Sequence, residues 1–147
     1  MTGQPVSFDL ERFLPYLLNQ AAEATSLSFQ AVYRADYGLS RTQWRVLANL
    51  GKFGAMTARD ICAISHIEKT KVSRAIGLME QAALLTRTTS ATDRRAEILG
   101  LTARGHRVFE ELGQKALAYD AELRRNLGPE IAGKLDTVLR RLILTKS

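Results

Sequence analysis

The sequence predicts a mainly α-helical chain carrying one small β-hairpin, and three observations predict it. Apolar residues recur at spacings of three and four through most of the 147 residues, the period of one helical face. Cap residues stand ahead of several of these runs, and glycine or proline closes them. Only between residues 85 and 101 does the period change, to a β-branched and partly alternating pattern.

Residues 8–36 read as one long helix through Leu10, Phe13, Leu14, Leu17, Leu18 and Ala21. Pro15 kinks it or splits it in two, because proline removes a backbone donor. Gly38 stops it. Ser40 followed by Gln43 has capping-box spacing, and Trp44, Leu47 and Leu50 form the stripe of a second helix that Gly51 and Gly54 end. Thr57-Ala58-Arg59-Asp60 repeats the cap-plus-acid spacing and opens a third helix with Ile61 and Ile64 buried. Its connection to the fourth, near Ser65-His66-Ile67, is about three residues, the length of the turn in a helix-turn-helix.

The fourth helix, Glu68 to about Leu84, places Val72, Ile76, Met79 and Ala83 on one face. Thr70, Ser73, Arg74, Gly77 and Gln81 fall on the other, with Lys69 and Lys71 at its flanks. Residues 85–89 and 97–101 then form the hairpin, a wing with residues 90–96 at its tip. Thr102 opens a long helix carrying Val108, Leu112, Ala116, Leu117 and Leu123. Gly128-Pro129 breaks it before a last helix with Ile131, Leu135, Val138, Leu139, Leu142 and Ile143.

Composition narrows the function. A chain with 46% hydrophobic residues can bury one core and reads as a single domain, residues 1–147. The lone Cys62 cannot make an internal disulfide, and MTGQPVSFDLERF lacks the basic start and apolar run of a secretory signal, so the cytoplasm is expected. No apolar run approaches the ~20 residues that cross a bilayer, so no membrane partner is expected. The net charge is +6 and the pI about 9.8. Eight basic against four acidic residues give 65–107 a net of +4, whereas 1–36 has two against four, a net of −2. A positive field in the middle of the chain suits a polyanion.

A hairpin tip with Asp93, Arg94 and Arg95, beside a helix with a small-polar and cationic outer face, has the shape of a two-point grip on duplex DNA. The helix reads base edges in the major groove while the tip arginines reach the adjacent minor groove. Asp93 would hydrogen-bond or pair within the wing and fix the direction of an arginine. Alone, such a tripeptide would be a solvated turn; its place straight after a recognition helix argues otherwise.

The stretch I-C-A-I-S-H-I-E-K-T-K-V-S-R-A-I-G-L-M-E, then L-L-T-R, then D-R-R-A-E-I-L-G-L-T-A-R-G, resembles the winged helix-turn-helix core of the MarR (multiple antibiotic resistance regulator) family of transcriptional regulators. The specific part is Asp93-x-Arg95 followed by Leu101-Thr102-x-x-Gly105. The resemblance implies a DNA-binding core at 39–107 flanked by dimerisation helices at 8–36 and 108–147. It implies base or phosphate contacts from Lys69, Thr70, Ser73 and Arg74, minor-groove insertion by Arg95, and Arg94 on neighbouring phosphates. The partners implied are double-stranded DNA and a second copy of the chain, a homodimer on a pseudo-palindromic operator. Many relatives have Gly-Leu where this chain has Ala83-Leu84; the alanine Cβ disfavours a left-handed C-cap, so the helix end is expected to differ by a few residues.

Family members commonly lose DNA affinity when a small aromatic or anionic ligand binds. Tyr16, Phe29, Tyr33, Tyr37, Trp44 and Arg45 are the candidate ligand contacts here, for an aromatic or phenolic acid or its coenzyme A thioester; aromatics at helical spacing are otherwise plain core. No cofactor, metal or catalytic residue is expected: His66 and His106 are far apart, Cys62 has no thiol or histidine at ligand spacing, and it reads as a packing residue. The competing reading is a basic helical module that binds nucleic acid or an acidic partner without sequence specificity.

Overall fold

The computed structural model describes residue 3 and residues 7–145, so the reading of the first six residues otherwise lies outside the described residues. The chain divides into two units, residues 1–41 and 42–147.

In the first unit, Asp9 caps a single 3-10 turn at Leu10–Arg12, accepting the Glu11 N–H, and the chain then extends at Phe13. Helix α1 runs Leu14–Tyr37 with Pro15 in its first turn. Proline there loses no internal hydrogen bond, so the long helix is two pieces and the second is unkinked. Gly38, at φ 65°, closes α1 in the left-handed region. Phe29 and Tyr33 are its buried residues, their rings edge to face at 5.7 Å. Arg41 reaches back to Glu23 at 2.6 Å.

Helix α2 runs Arg41–Phe53, and its buried row is Gln43, Val46, Leu47 and Leu50. Trp44, expected in that stripe, is half-buried one position round the helix. Gly51 does not end α2. It sits inside the last turn, where an added Cβ would stand 2.5 Å from the Phe109 ring; Gly54, at φ 84°, is the stop.

A two-residue strand that the sequence reading missed, β1 at Met56–Thr57, leads into helix α3, Ala58–Ser65. The capping box is complete: Thr57 Oγ1 accepts the Asp60 N–H and the Asp60 carboxylate accepts the Thr57 N–H, both at 3.1 Å. Ile61 is fully buried, but Ile64 is 46% exposed and Ser65 takes the buried position instead. Ser65 stands four residues after Ile61 and bonds back to its carbonyl, so it needs no outside partner. His66, left-handed at φ 58°, turns the chain into helix α4, Lys69–Gln81.

Strands β2 (Leu85–Thr89) and β3 (Glu97–Leu101) pair antiparallel from Leu85↔Leu101 to Thr89↔Glu97, and β1 adds to the outer edge of β3, giving the order β1-β3-β2. Helices α5 (Ala103–Leu127) and α6 (Pro129–Leu144) follow, divided at Gly128-Pro129. Val108 and Leu112 bury one face of α5, whereas Leu117 is exposed. Arg124 closes the α5–α6 corner, with Nε on Asp120 at 2.7 Å and a two-pronged pair on Asp136 at 2.6 and 3.0 Å. Among the described residues no helix is long and apolar enough to cross a membrane.

Candidate nucleic-acid interface

The face of α4 is set by what it buries. Val72, Ala75, Ile76 and Met79 point into the second unit, which turns Lys69, Thr70, Lys71, Ser73 and Arg74 to solvent. Ala83 is not part of that apolar face. The helix ends at Gln81, and Ala83 occupies the left-handed region at φ 60°. The C-cap shift expected from its Cβ does not occur: the Leu84 N–H reaches back to the Met79 carbonyl at 2.9 Å and the Ala83 N–H to Glu80 at 3.0 Å, closing the helix as glycine would.

Thr102 holds that turn. Its hydroxyl donates to the Ala83 carbonyl at 2.6 Å and accepts the Gly105 N–H at 2.9 Å, while its own N–H donates to the Leu84 carbonyl at 3.0 Å. Gly105 completes the lock, since a Cβ there would stand 2.1 Å from the Leu84 carbonyl oxygen. The Leu101-Thr102-x-x-Gly105 pattern thus has a physical cause. It pins the chain where it leaves α4 to the place where it leaves the wing.

The wing tip is braced by its own short polar side chains. The Ser90 N–H donates to the Ala96 carbonyl at 3.0 Å, and the Ala96 N–H to the Asp93 carbonyl at 3.1 Å. Ser90 Oγ accepts from the Thr92 and Asp93 N–H groups, and Asp93 Oδ1 accepts the Arg95 N–H at 2.9 Å. Asp93 therefore acts on the Arg95 backbone rather than on an arginine side chain. Arg94 and Arg95 are exposed, and neither has an ion pair among the described residues.

Arg87 behaves differently. On β2, it pairs with Glu80 of α4 at 3.1 Å and Glu97 of β3 at 3.3 Å. The hydrogen bond to Glu97, above all, raises its pKa further beyond the usual arginine value. Two carboxylates balance this one charge, so the positive field of the segment belongs to the tip and to α4 rather than to the wing base.

Between α3, α4 and the wing lies a cleft of about 570 Å³. Of the residues singled out in the sequence, it gathers Ser73, Asp93 and Arg95 along its walls; Ile76 and Leu99 also line it. Lys69, Thr70, Arg74 and Arg94 are not among its lining residues. Arg59, in the first turn of α3, is, and it was missed because T-A-R-D registered only as a cap.

The ligand candidates are distributed along two helices. Tyr16 and Tyr37 are half-exposed on α1, Phe29 and Tyr33 are buried there, and burial raises the Tyr33 phenol above its ordinary pKa against the pull of Arg41 and Arg34. Trp44 and Arg45 lie on α2. Arg45 donates to the Ser65 carbonyl at the end of α3, a structural bond next to the helix-turn-helix turn. Cys62 is partly exposed, and among the described residues no group of three or more His, Cys, Asp or Glu could hold a metal ion.

A MarR family model matches residues 37–96. A MarR family transcriptional regulator from Silicibacter pomeroyi DSS-3 is 31% identical, with a TM-score of 0.81 over 93% of this chain and 97% of that one. The chain belongs to the MarR family. The helix-turn-helix transcriptional regulator YwoH of Bacillus subtilis strain 168 is 28% identical over 78% of this chain and 82% of its own length. Bordetella bronchiseptica BpsR, whose DNA binding is regulated by 6-hydroxynicotinic acid, shares the fold at a TM-score of 0.82 and 22% identity, over 96% of this chain and all of that one. MarR proteins are transcriptional regulators rather than enzymes, and the fold matches their winged-helix structures.

Proposed function

We propose that this MarR protein is a cytoplasmic repressor that binds a pseudo-palindromic operator as a homodimer and leaves it when a small aromatic or anionic acid binds. The observation that carries the reading is the pinned pair of cationic elements: α4 with Lys69, Thr70, Ser73 and Arg74 outward, and beside it a braced tip raising Arg94 and Arg95. Such a pair suits a recognition helix in the major groove and Arg95 in the adjoining minor groove, with Arg94 on phosphate. Because the tip is prebraced, little ordering cost falls on binding.

Dimerisation is supported by apolar side chains left exposed on the terminal elements: Leu10, Phe13, Leu14 and Leu17 at one end, and Ile131, Leu135, Val138, Leu142 and Ile143 at the other. A second copy related by a two-fold axis covers them and sets two recognition helices one helical turn of DNA apart. The effector is an aromatic or phenolic acid or its coenzyme A thioester, in keeping with the hydroxylated aromatic acid that regulates BpsR. Its candidate contacts are Tyr16, Phe29, Tyr33, Tyr37, Trp44 and Arg45. Release follows when the ligand favours a separation of the two wings at which both helices cannot reach their grooves.

Selection of bound fragments from random duplex DNA at near-physiological salt tests the proposal. An inverted repeat is expected to be enriched by the wild type. Arg95→Ala is expected to weaken binding to all sequences and lower the salt slope by about 0.9 per protomer, whereas Arg74→Ala also changes which sequences are preferred. Binding without enrichment, fading only with salt, would instead establish the non-specific basic module.

A further inference from the structure

We infer that Arg59, at the start of α3, is a second anchor for DNA, holding with Arg95 the phosphate strand that runs between the two grooves. This rests on the two-point grip proposed above. If α4 enters the major groove and the wing tip the adjacent minor groove, the sugar–phosphate strand separating those grooves has to pass between α4 and the wing. The cleft of about 570 Å³ opens in that place, with Ser73 on its α4 side, Arg95 on its wing side and Arg59 on its α3 side.

Charge decides which residues serve the strand. Three arginines line the cleft, but Arg87 is held by Glu80 and Glu97. Arg59 and Arg95 have no ion pair among the described residues, and Arg59 is solvent-exposed. The two acids nearest Arg95 in sequence are both engaged, Asp93 accepting the Arg95 N–H and Glu97 pairing with Arg87. Arg59 and Arg95 thus come from elements far apart in sequence and line one cleft, as cations gripping a polyanion from two sides would. A phosphodiester, with its fixed negative charge and two non-bridging oxygens that a guanidinium fork can engage, is the group they suit.

The experiment compares wild type, Arg59→Gln and Arg59→Lys on a selected operator duplex and on a scrambled one, across a salt series, with single phosphates neutralised by ethylation. Unchanged melting of the variants checks folding, which the exposed position of Arg59 favours. Arg59→Gln is expected to bind both duplexes about tenfold more weakly and to lose about 0.9 from the salt slope per protomer, with Arg59→Lys retaining the slope. One backbone position per half-site, where ethylation weakens the wild type, is expected to become indifferent in Arg59→Gln. An unchanged slope in a folded Arg59→Gln, or a loss confined to particular base sequences, overturns the inference while leaving the two-point grip in place. Failure of the wild type itself to bind either duplex sinks the grip and the anchor together.

Discussion

Ala83 occupies backbone space that an alanine enters at a cost of about 1–2 kcal/mol, yet the turn after α4 takes it there at φ 60°. The neighbours decide this: Thr102 hydrogen-bonds the Ala83 carbonyl, and Gly105 packs against that of Leu84, so the turn is fixed from outside. Ala83→Gly is therefore expected to raise stability by about 1 kcal/mol, read as a higher Tm with DNA affinity unchanged. The sequence shows an alanine where a left-handed C-cap favours glycine; which side yields depends on atoms nineteen residues away in the chain. Gly51 teaches the same lesson, since it looks like a helix stop in sequence and is a seat for the Phe109 ring in the fold.

At the scale of elements, Thr102 is both N-cap of α5 and clasp of the wing. Thr102→Val keeps the shape and removes both hydroxyl bonds, so a loss of about 1–3 kcal/mol is expected, with faster amide exchange at Ala83–Leu85 and Gly105 than elsewhere. The α5–α6 corner responds to acid instead. The hydrogen bond from Arg124 holds the Asp136 carboxyl below its ordinary 3.8. A group with a lowered folded pKa stabilises the fold above its unfolded pKa, and that contribution disappears as pH falls through the folded value. The difference in melting between wild type and Asp136→Asn is therefore expected to be present at neutral pH and to close below about pH 4. The hairpin bounds and the starts of α3 and α5 were legible because each has a local signal, a cap or a change of period. The strand β1 was not, because two residues carry no period and pair only through Leu99 and Ile98.

For the whole molecule, the exposed apolar face of α6 is the feature a lone protomer does not explain, with Val138 and Ile143 more than half exposed. Val138→Glu is expected to shift sedimentation from dimer to monomer and to weaken operator binding about a hundredfold, because two tethered half-site contacts become independent ones. A variant that stays dimeric with full affinity would place the interface elsewhere. The placing of a cationic helix beside an arginine tip was readable from the order of a cap, a three-residue turn, a cationic helix and a hairpin. That Arg59 lines the same cleft was not, because nothing in T-A-R-D says that α3 begins beside the wing.

The sequence by itself determined the order of helices, the bounds of the hairpin and the outward cations of α4, because periodicity, caps and β-branched runs act between near neighbours. Only the tertiary structure decided which charges remain unpaired. Arg87 and Arg95 look alike in a count of basic residues; antiparallel pairing sets Glu97 two positions from the residue opposite Arg87, and the end of α4 adds Glu80, whereas the tip turn engages Asp93 with the Arg95 backbone. Charge is a property of composition, but its availability to a partner depends on distances that only folding sets.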